Sequence, residues 1–309
     1  MKKRISNHLI IIFTLIILYF IIIKKILIQE TILNAISIWY EFILPSLFPT
    51  FIISDILINY NIINYIPKFF KKFFKSLFNI SNSNIVIFFL SLISGFPSNA
   101  RNARTMYEKK EITLEEANHI LIFSHFANPV FIMSGISILL NNTSAIIILL
   151  NQYISNIILG ILSKKYAPKY KENKTTKENK GTFNNIFLTS INKSVDSLLT
   201  ICGILTISLV VSTIIVDTLK LNIYNTIIIK GLFEFTVGIN YLSKTNLSNI
   251  YKTILSSIFI SFGGLSVHMQ VKSQIKDTPI NYKYFLLGRI YQVILSIPIS
   301  YILCKIFKI

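Results

Sequence analysis

The stretch GFPSNARNARTMYEKKEITLEEANHILIFSHFANPVFIMSG (residues 95–135) decides the fold of this chain. It places a Gly-Phe-Pro break, two arginines, four glutamates and an Asn-Pro pair between segments that are apolar enough to lie in a bilayer. A backbone that stops being helical inside a membrane leaves amide and carbonyl groups unpaired, which costs several kcal/mol for each group. Such a break persists where it is packed in protein or lines a wet cavity. The stretch therefore predicts a membrane protein with broken or re-entrant helices that handle something polar.

The composition of the whole chain supports the membrane class. Of its 309 residues, 52% are hydrophobic and 14% are charged, and the mean hydropathy is +0.61. Soluble domains usually carry about 25% charged residues. Apolar runs recur along the chain and predict an all-α polytopic membrane protein with about seven to nine membrane segments. We therefore expect the protein to contact the lipid bilayer.

The basic residues argue for a membrane topology and against nucleic-acid binding. The net charge is +18, but lysines and arginines cluster at the ends of apolar runs, as they do in cytoplasmic loops. The first apolar run, residues 9–23, is followed by Lys24 and Lys25 and not by a small-residue cleavage site. An uncleaved anchor fits this pattern, with the N-terminus cytoplasmic and the protein in the plasma membrane.

No signature of an enzyme or a metal protein is present in the sequence. Cys202 and Cys304 lie in separate apolar segments, which does not indicate a disulfide framework or a metal site. The chain contains no GxxxxGK[ST] phosphate loop, no HExxH and no GxSxG. We therefore predict no enzymatic activity, no catalytic residues, no cofactor and no metal.

A lysine-rich stretch divides the chain into two halves. Residues 164–182 contain almost no apolar side chains and read as a cytoplasmic linker. The predicted organisation is an anchor span (1–30), a first repeat (31–163), this linker and a second repeat (183–309). The basic amphipathic segment IPKFFKKFFKSLF, residues 66–78, is an insert in the first repeat and predicts a helix on the membrane surface.

Matched spacings indicate that the two halves are related. Gly95 precedes His125 by the same thirty residues that separate Gly238 from His268. Two related halves joined by a polar linker are typical of transporters built from inverted repeats, whose sites form where the broken helices meet. We therefore predict an inverted repeat.

Two local patterns predict where helices begin and bend. Thr113 and Glu116 form a capping-box pattern, which predicts a helix that starts near Thr113, continues through His125 and breaks at Asn128. Upstream, the prolines of LPSLFP (residues 44–49) predict a kink.

Nine residues are candidates for solute binding or gating. Ser98 and Asn99 would head a helix whose free amides favour an anion or a polar ligand. The two histidines are proton carriers or structural hydrogen-bonding groups, and the asparagine after the second break binds a ligand or caps a helix. A carboxylate inside a membrane is a functional hypothesis by default. The full set is Gly95, Pro97, Ser98, Asn99, His125, Asn128, Glu234, Gly238 and His268.

Other charged groups have structural interpretations. Arg101 and Arg104 are interpreted as cytoplasmic anchors of the positive-inside type. Asp55, Asp196 and Asp217 are interpreted as carboxylates at interface depth, where a charge costs little.

The motifs together resemble a known family. The stretch around residues 95–135, with ILPSLFPTFIISDIL upstream and LFEFTVGINYLS, SFGGLSVHMQVKS and YFLLGRIYQVILSI downstream, is similar to the sporulation integral membrane protein YlbJ family. The similarity covers roughly residues 35–300, apart from the linker. That family carries a nucleoside recognition, or Gate, domain.

The resemblance implies a function but no substrate, because kinship of fold does not transfer one. It implies two Gate-like repeats, a transporter-like role for a small polar solute, and action in spore cortex formation if the host sporulates. The alternative is a non-transporting scaffold that recruits other membrane proteins.

Overall fold

Every secondary-structure element of the described chain is helical. The computed structural model describes residues 2–168 and 181–309, apart from the side chains of residues 2–6 and 9. The first half contains α1 (Lys2–Ile23), α2 (Lys25–Ile38), α3 (Leu44–Asn59), α4 (Lys68–Phe78), α5 (Asn82–Ser94), α6 (Ser98–Glu108), α7 (Leu114–Phe123), α8 (Pro129–Phe131), α9 (Ser137–Leu139) and α10 (Asn142–Ser163). The second half contains α11 (Phe183–Thr218), α12 (Ile223–Phe233), α13 (Phe235–Ser243), α14 (Asn249–Phe262), α15 (Gly264–Gln274) and α16 (Tyr282–Ile306).

Within the described ranges, five helical stretches are long and apolar enough to cross a membrane. They are Lys25–Asn59, Asn142–Tyr166, Phe183–Thr218, Asn249–Gln274 and Tyr282–Ile306. A sixth results if α4 and α5, which are bent by 90° to each other, count as one span. The all-α polytopic prediction is confirmed, with fewer full spans than the apolar runs suggest. Breaks divide several runs into helices too short to cross, such as Pro129–Leu139 and Ile223–Phe233.

The same order of elements recurs in the two halves. A long helix comes first, as α2–α3 in one half and α11 in the other. A helical hairpin follows, then a broken helix, then a long closing helix: α5–α6, α7–α9 and α10 in the first half, α12–α13, α14–α15 and α16 in the second. Helix α4, which carries the basic amphipathic sequence, has no counterpart. The leading helix already begins at Lys25, so the predicted boundary between residues 30 and 31 falls inside α2.

The proline-rich part of the first long helix is accommodated without a sharp break. Pro45 and Pro49 cannot donate to the helical hydrogen-bond ladder. The backbone passes through a π-helical turn, Trp39–Ile43, immediately before α3. The Ser46 hydroxyl donates to the carbonyl of Phe42 at 2.7 Å. The predicted distortion is thus a π turn just ahead of the prolines.

Helix α4 exposes an aromatic face. Phe69 and Phe73 are 73% and 50% exposed, whereas Phe78 is fully buried and packs against Phe123, with ring centroids 5.1 Å apart. The exposed rings alternate with lysines, the arrangement that places a helix in a bilayer interface. The surface location itself stays a prediction.

The capping box at the start of α7 is confirmed, but the predicted course of this helix is wrong. The Thr113 backbone amide donates to the Glu116 carboxylate at 2.8 Å, and the Glu116 amide donates to the Thr113 hydroxyl at 3.2 Å. The helix ends at Phe123, and residues 124–128 are not helical. The Ser124 hydroxyl donates back to the Ile120 carbonyl at 2.7 Å, and the Ser124 amide donates to the same carbonyl at 3.3 Å.

Most of the predicted linker, residues 164–182, lies outside the described residues. Helix α10 ends at Ser163 and is followed by a short 3₁₀ turn, Lys164–Tyr166. On the other side, α11 begins at Phe183, within one residue of the predicted start of the second repeat.

A buried ion pair fastens α6 to α3, and it corrects the interpretation of Arg101 and Asp55 as surface groups. The guanidinium of Arg101 donates to both carboxylate oxygens of Asp55, at 3.0 and 2.6 Å. Both side chains are only about one-twentieth exposed, at 6% and 5%. The guanidinium also lies 4.7 Å from the ring centroid of Phe51. The pair neutralises both charges inside the fold.

Gly95→Ala should destabilise the protein by about 1–3 kcal/mol, because its φ of +77° suits glycine and a Cβ would lie 2.5 Å from the Asn128 amide nitrogen. The matched control is Gly203→Ala in α11, where a Cβ meets nothing within 4 Å. Thermal unfolding in detergent should show a lower melting point for Gly95→Ala and an equal or higher one for the control. Equal melting points for the two variants would contradict the packed break.

Asp55→Ala should lower the free energy of unfolding by about 3–5 kcal/mol, because it leaves the buried Arg101 guanidinium without its counter-ion. The double variant Asp55→Leu/Arg101→Met should recover most of that loss, since it removes both charges. Chemical or thermal unfolding of the unaltered protein and of the two variants measures this. A double variant less stable than Asp55→Ala would show that the pair does not act as a unit.

Candidate functional site

The first break is a sharp turn between α5 and α6. Gly95 ends α5, and the following peptide bond, between Phe96 and Pro97, is cis. The Gly95 carbonyl accepts from the Ser98 amide at 3.0 Å and from the Ser98 hydroxyl at 2.6 Å. The turn is therefore closed by its own polar groups.

Asn128 joins this turn to the unwound segment after α7. Its side-chain oxygen accepts from the amides of Val130 and Phe131, at 2.8 and 3.1 Å, and so caps α8. Its side-chain nitrogen donates to the carbonyl of Ser94, at 3.1 Å, at the end of α5. The Asn128 side chain thus bonds backbone groups of both α5 and α8. Of the two predicted roles, ligand binding or helix capping, the structure shows the cap.

Ser98 and Asn99 direct their side chains into the protein. The Asn99 amide donates to the Ser124 hydroxyl in the unwound segment, and Ser98 bonds the Gly95 carbonyl. Both residues are at most 1% exposed. The Asn99 side chain joins α6 to the unwound segment, and the Ser98 side chain closes its own turn.

His125 lies in the unwound segment with no partner for either ring nitrogen. Its ring stacks on Phe96 at 6.4 Å and meets the edge of Phe285 at 4.4 Å, and the residue is 1% exposed. Neither Nδ1 nor Nε2 has a hydrogen-bond partner. Buried polar atoms without partners are rare in proteins, so this imidazole is a group to which a ligand or water can bond.

Glu234 forms the break in the second half. It ends α12 and caps α13, with its carboxylate accepting from the Thr236 amide at 3.3 Å, the Thr236 hydroxyl at 3.0 Å and the Ser266 hydroxyl. Among the described residues, no cation lies within ion-pair distance of this carboxylate. It is 3% exposed.

The second broken helix packs on the Glu234 break. Gly263 and Gly264 both have positive φ, +88° and +68°, and separate α14 from α15. A Cβ on Gly264 would lie 3.0 Å from the Phe233 carbonyl and 3.3 Å from the Glu234 Cα. In each half, therefore, the turn of the hairpin packs against the break in the next helix: Gly95 against Asn128, and Glu234 against Gly264.

Gly238 does not mark a break, so the pairing of Gly238 with Gly95 by spacing is wrong. It lies inside α13, where a Cβ would meet the Gly231 Cα at 2.3 Å. The two glycines let α12 and α13 pack closely as the arms of the hairpin. In the order of elements, the Glu234 turn lies between α12 and α13 as the Gly95 turn lies between α5 and α6.

His268 is a hydrogen-bonding group at the second break. Its Nδ1 pairs with the Tyr282 hydroxyl at 2.5 Å and its Nε2 with the Phe262 carbonyl at 3.0 Å. Phe262 is the last residue of α14, so His268 satisfies a carbonyl left free by the break.

A cavity of about 60 Å³ lies where the two halves meet. Asn128 and Phe96 line it from the first half, and Glu234, Phe235 and Gln270 line it from the second. The Phe96 and Phe235 rings are 6.4 Å apart. This volume holds a few water molecules and nothing larger. The structure thus brings Gly95, Asn128 and Glu234 to one place, with His125 behind Phe96, and leaves Gly238 away from it.

A buried cation beside His125 was not included among the predicted site residues. Arg289, on α16, is 0% exposed, and its guanidinium donates to the His125 carbonyl at 3.3 Å and to the Asn156 side chain at 3.2 Å. Its Nε has no partner, and among the described residues no carboxylate lies within ion-pair distance. Arg289 therefore keeps an uncompensated charge in the interior.

Arg289 belongs to a polar stripe between α10, α14 and α16. Gln292 accepts from Arg289, and its amide nitrogen donates to Gln152 and to Ser155, both at 3.1 Å. Gln152 also donates to Ser261 at 3.0 Å. Polar side chains at helical spacing within the apolar runs 142–163 and 282–306 are the sequence signal that reveals this stripe.

No metal centre is formed by the described residues, where no group of three His, Cys, Asp or Glu side chains could hold an ion. The described Cys202 and Cys304 are free thiols.

Comparison with known proteins gives one informative relative. The chain is 23% identical over 298 residues to the sporulation integral membrane protein YlbJ of Bacillus subtilis (strain 168), in an alignment that covers 84% of this chain and 73% of the relative. No protein-family profile and no solved structure matches the chain. The relative and the spanning helices together support the resemblance found in the motifs: the chain is a multi-pass integral membrane protein similar to the YlbJ family.

Proposed function

We propose that this chain is a Gate-type, transporter-like membrane protein for a small polar solute, and not an enzyme. The observation that carries the proposal is the meeting of two helix breaks, one from each half, at a single cavity lined by Asn128 and Glu234. Broken helices that face one another near the middle of a membrane protein are the usual setting of a transport site.

The Arg289 guanidinium favours a solute that carries a negative group, and the Glu234 carboxylate at the cavity favours one that also carries hydrogen-bond donors. Arg289 has no carboxylate partner among the described residues, and its Nε is free. The neighbouring His125 ring offers two further unpaired nitrogens. A buried charge without a counter-ion is costly, and an anionic solute would supply what Arg289 lacks.

The aromatic rings at the cavity act as the gate in this proposal. Phe235 contacts Phe96 and Phe131, with ring centroids 6.4 and 5.8 Å apart, and these contacts join the two halves. A cavity of about 60 Å³ has no room for a solute larger than a few water molecules. Passage requires the two hairpins to move apart.

The remaining parts of the proposal concern placement and cellular role. The recurring order of helices supports an inverted repeat, and the lysine pattern supports a cytoplasmic N-terminus in the plasma membrane. The name of the relative in Bacillus subtilis supports a role in spore formation, if the host sporulates.

The test is thermal stabilisation of the detergent-purified protein by nucleosides, bases, divalent metals and small organic and inorganic anions. A ligand that binds only the folded state stabilises it by about 2.7 kcal/mol at a hundredfold excess over its dissociation constant. We expect an organic anion that also carries hydrogen-bond donors to give the shift. Arg289→Gln should reduce the shift because it removes the cation, and Glu234→Gln should reduce it because it removes a charged acceptor. The matched control is Glu41→Gln, because Glu41 is exposed and accepts only from Ser37 in its own helical turn.

The scaffold alternative makes the opposite prediction. No ligand would shift the melting point, and Arg289→Gln and Glu234→Gln would fold and support the cellular role as the unaltered protein does. Deletion of the basic helix α4 or of the linker would then abolish the role.

A further inference from the structure

A second cavity, of about 330 Å³, lies away from the helix breaks. It is formed by α2, α11, α12 and α13, and it shares no lining residue with the cavity at Glu234. Thr31, Thr213, Asp217 and Lys230 are among its lining residues. Nothing in the proposed transport function uses this cavity.

Lys230 is the buried charge of this cavity. It is 5% exposed, and its ammonium donates to the Thr213 hydroxyl at 2.5 Å and to the Ser212 hydroxyl at 3.3 Å. Among the described residues, no carboxylate lies within ion-pair distance of it. An ammonium group has three donors, so one remains for a ligand. Asp217 also lines the cavity, but it pairs with Lys24 at 3.3 Å and forms no ion pair with Lys230.

The cavity continues into a groove along the junction of α1 and α2. A neighbouring cavity of about 380 Å³ shares Leu27 and Glu30 with the first and adds Ile23, Lys24, Lys25 and Ile26. Its lining consists of three apolar side chains, two lysines and the Glu30 carboxylate. Asp217 lies in the last turn of α11, so the groove lies close to the end of a spanning helix. An apolar groove with a basic head end, near a helix end, suits a phospholipid.

We propose that this Lys230 groove binds an anionic phospholipid with a glycerol headgroup. The third N–H of Lys230 donates to the phosphate, in a charge-assisted hydrogen bond. The Glu30 carboxylate, exposed at the rim, accepts from the headgroup hydroxyls. One acyl chain lies along Ile23 and Ile26, of which Ile26 is 67% exposed in the protein alone. This site is independent of the proposed transport function.

The test compares lipids on the full-length protein after removal of bound lipid in a neutral detergent. Phosphatidylglycerol, phosphatidylcholine and inorganic phosphate are added separately, and binding is followed by the melting point and by native mass spectrometry. We expect phosphatidylglycerol alone to raise the melting point. Lys230→Met should weaken its binding about tenfold, because one charge-assisted hydrogen bond is lost. The matched control, Lys220→Met, removes an exposed lysine just beyond α11 and should bind as the unaltered protein does.

Three outcomes would overturn the proposal. Equal stabilisation by inorganic phosphate would assign Lys230 to a water-soluble phosphate compound. Equal binding of phosphatidylcholine and phosphatidylglycerol would show that no headgroup is recognised. Unchanged phosphatidylglycerol binding in Lys230→Met would remove Lys230 from the site. If Lys230→Met does not fold, enrichment of phosphatidylglycerol over phosphatidylcholine on the unaltered protein in mixed-lipid nanodiscs decides the same question.

Discussion

The structure depends on satisfying backbone polar groups where helices stop inside a membrane protein. Four such places occur in the described chain, at Gly95, at residues 124–128, at Glu234 and at Gly263. Each is closed by protein groups, some from the break itself and some from the neighbouring break. Asn128 bonds the ends of both α5 and α8, and His268 bonds the carbonyl that α14 leaves free. Because protein groups satisfy the breaks, the fold can keep non-helical backbone in its interior without exposing it to lipid.

Charges within the fold divide into those that are compensated and those that are not. Arg101 and Asp55 neutralise each other and tie two helices together, so their role is structural. Arg289, Lys230 and Glu234 are equally buried but lack a partner of opposite charge among the described residues. The Arg101–Asp55 pair shows that this fold can place an opposite charge beside a buried one. The uncompensated groups are therefore the positions where ligands are expected.

The sequence predicted the elements better than it predicted their contacts. Its apolar runs, the Thr113 capping box and the Gly-Phe-Pro break located most helices, because length, capping and glycine chemistry act locally. It misplaced the second break at Gly238, since helical glycines that serve close packing resemble glycines that end helices. It also extended α7 through His125, because the polar contacts that hold residues 124–128 unwound come from distant parts of the chain. Arg289 was not included among the site residues for the same reason: it bonds Asn156 on α10 and the His125 carbonyl in the unwound segment, both far from it in sequence.

The central claim is that the hairpins of the two halves meet at Phe96 and Phe235 and separate when a solute passes. Phe96→Cys and Phe235→Cys, combined in a background of Cys202→Ser and Cys304→Ala, allow this contact to be cross-linked in membranes. The account predicts an efficient cross-link that abolishes solute movement and is reversed by reduction. Failure of the two thiols to react in the folded protein, or unchanged solute movement in the cross-linked form, would contradict it.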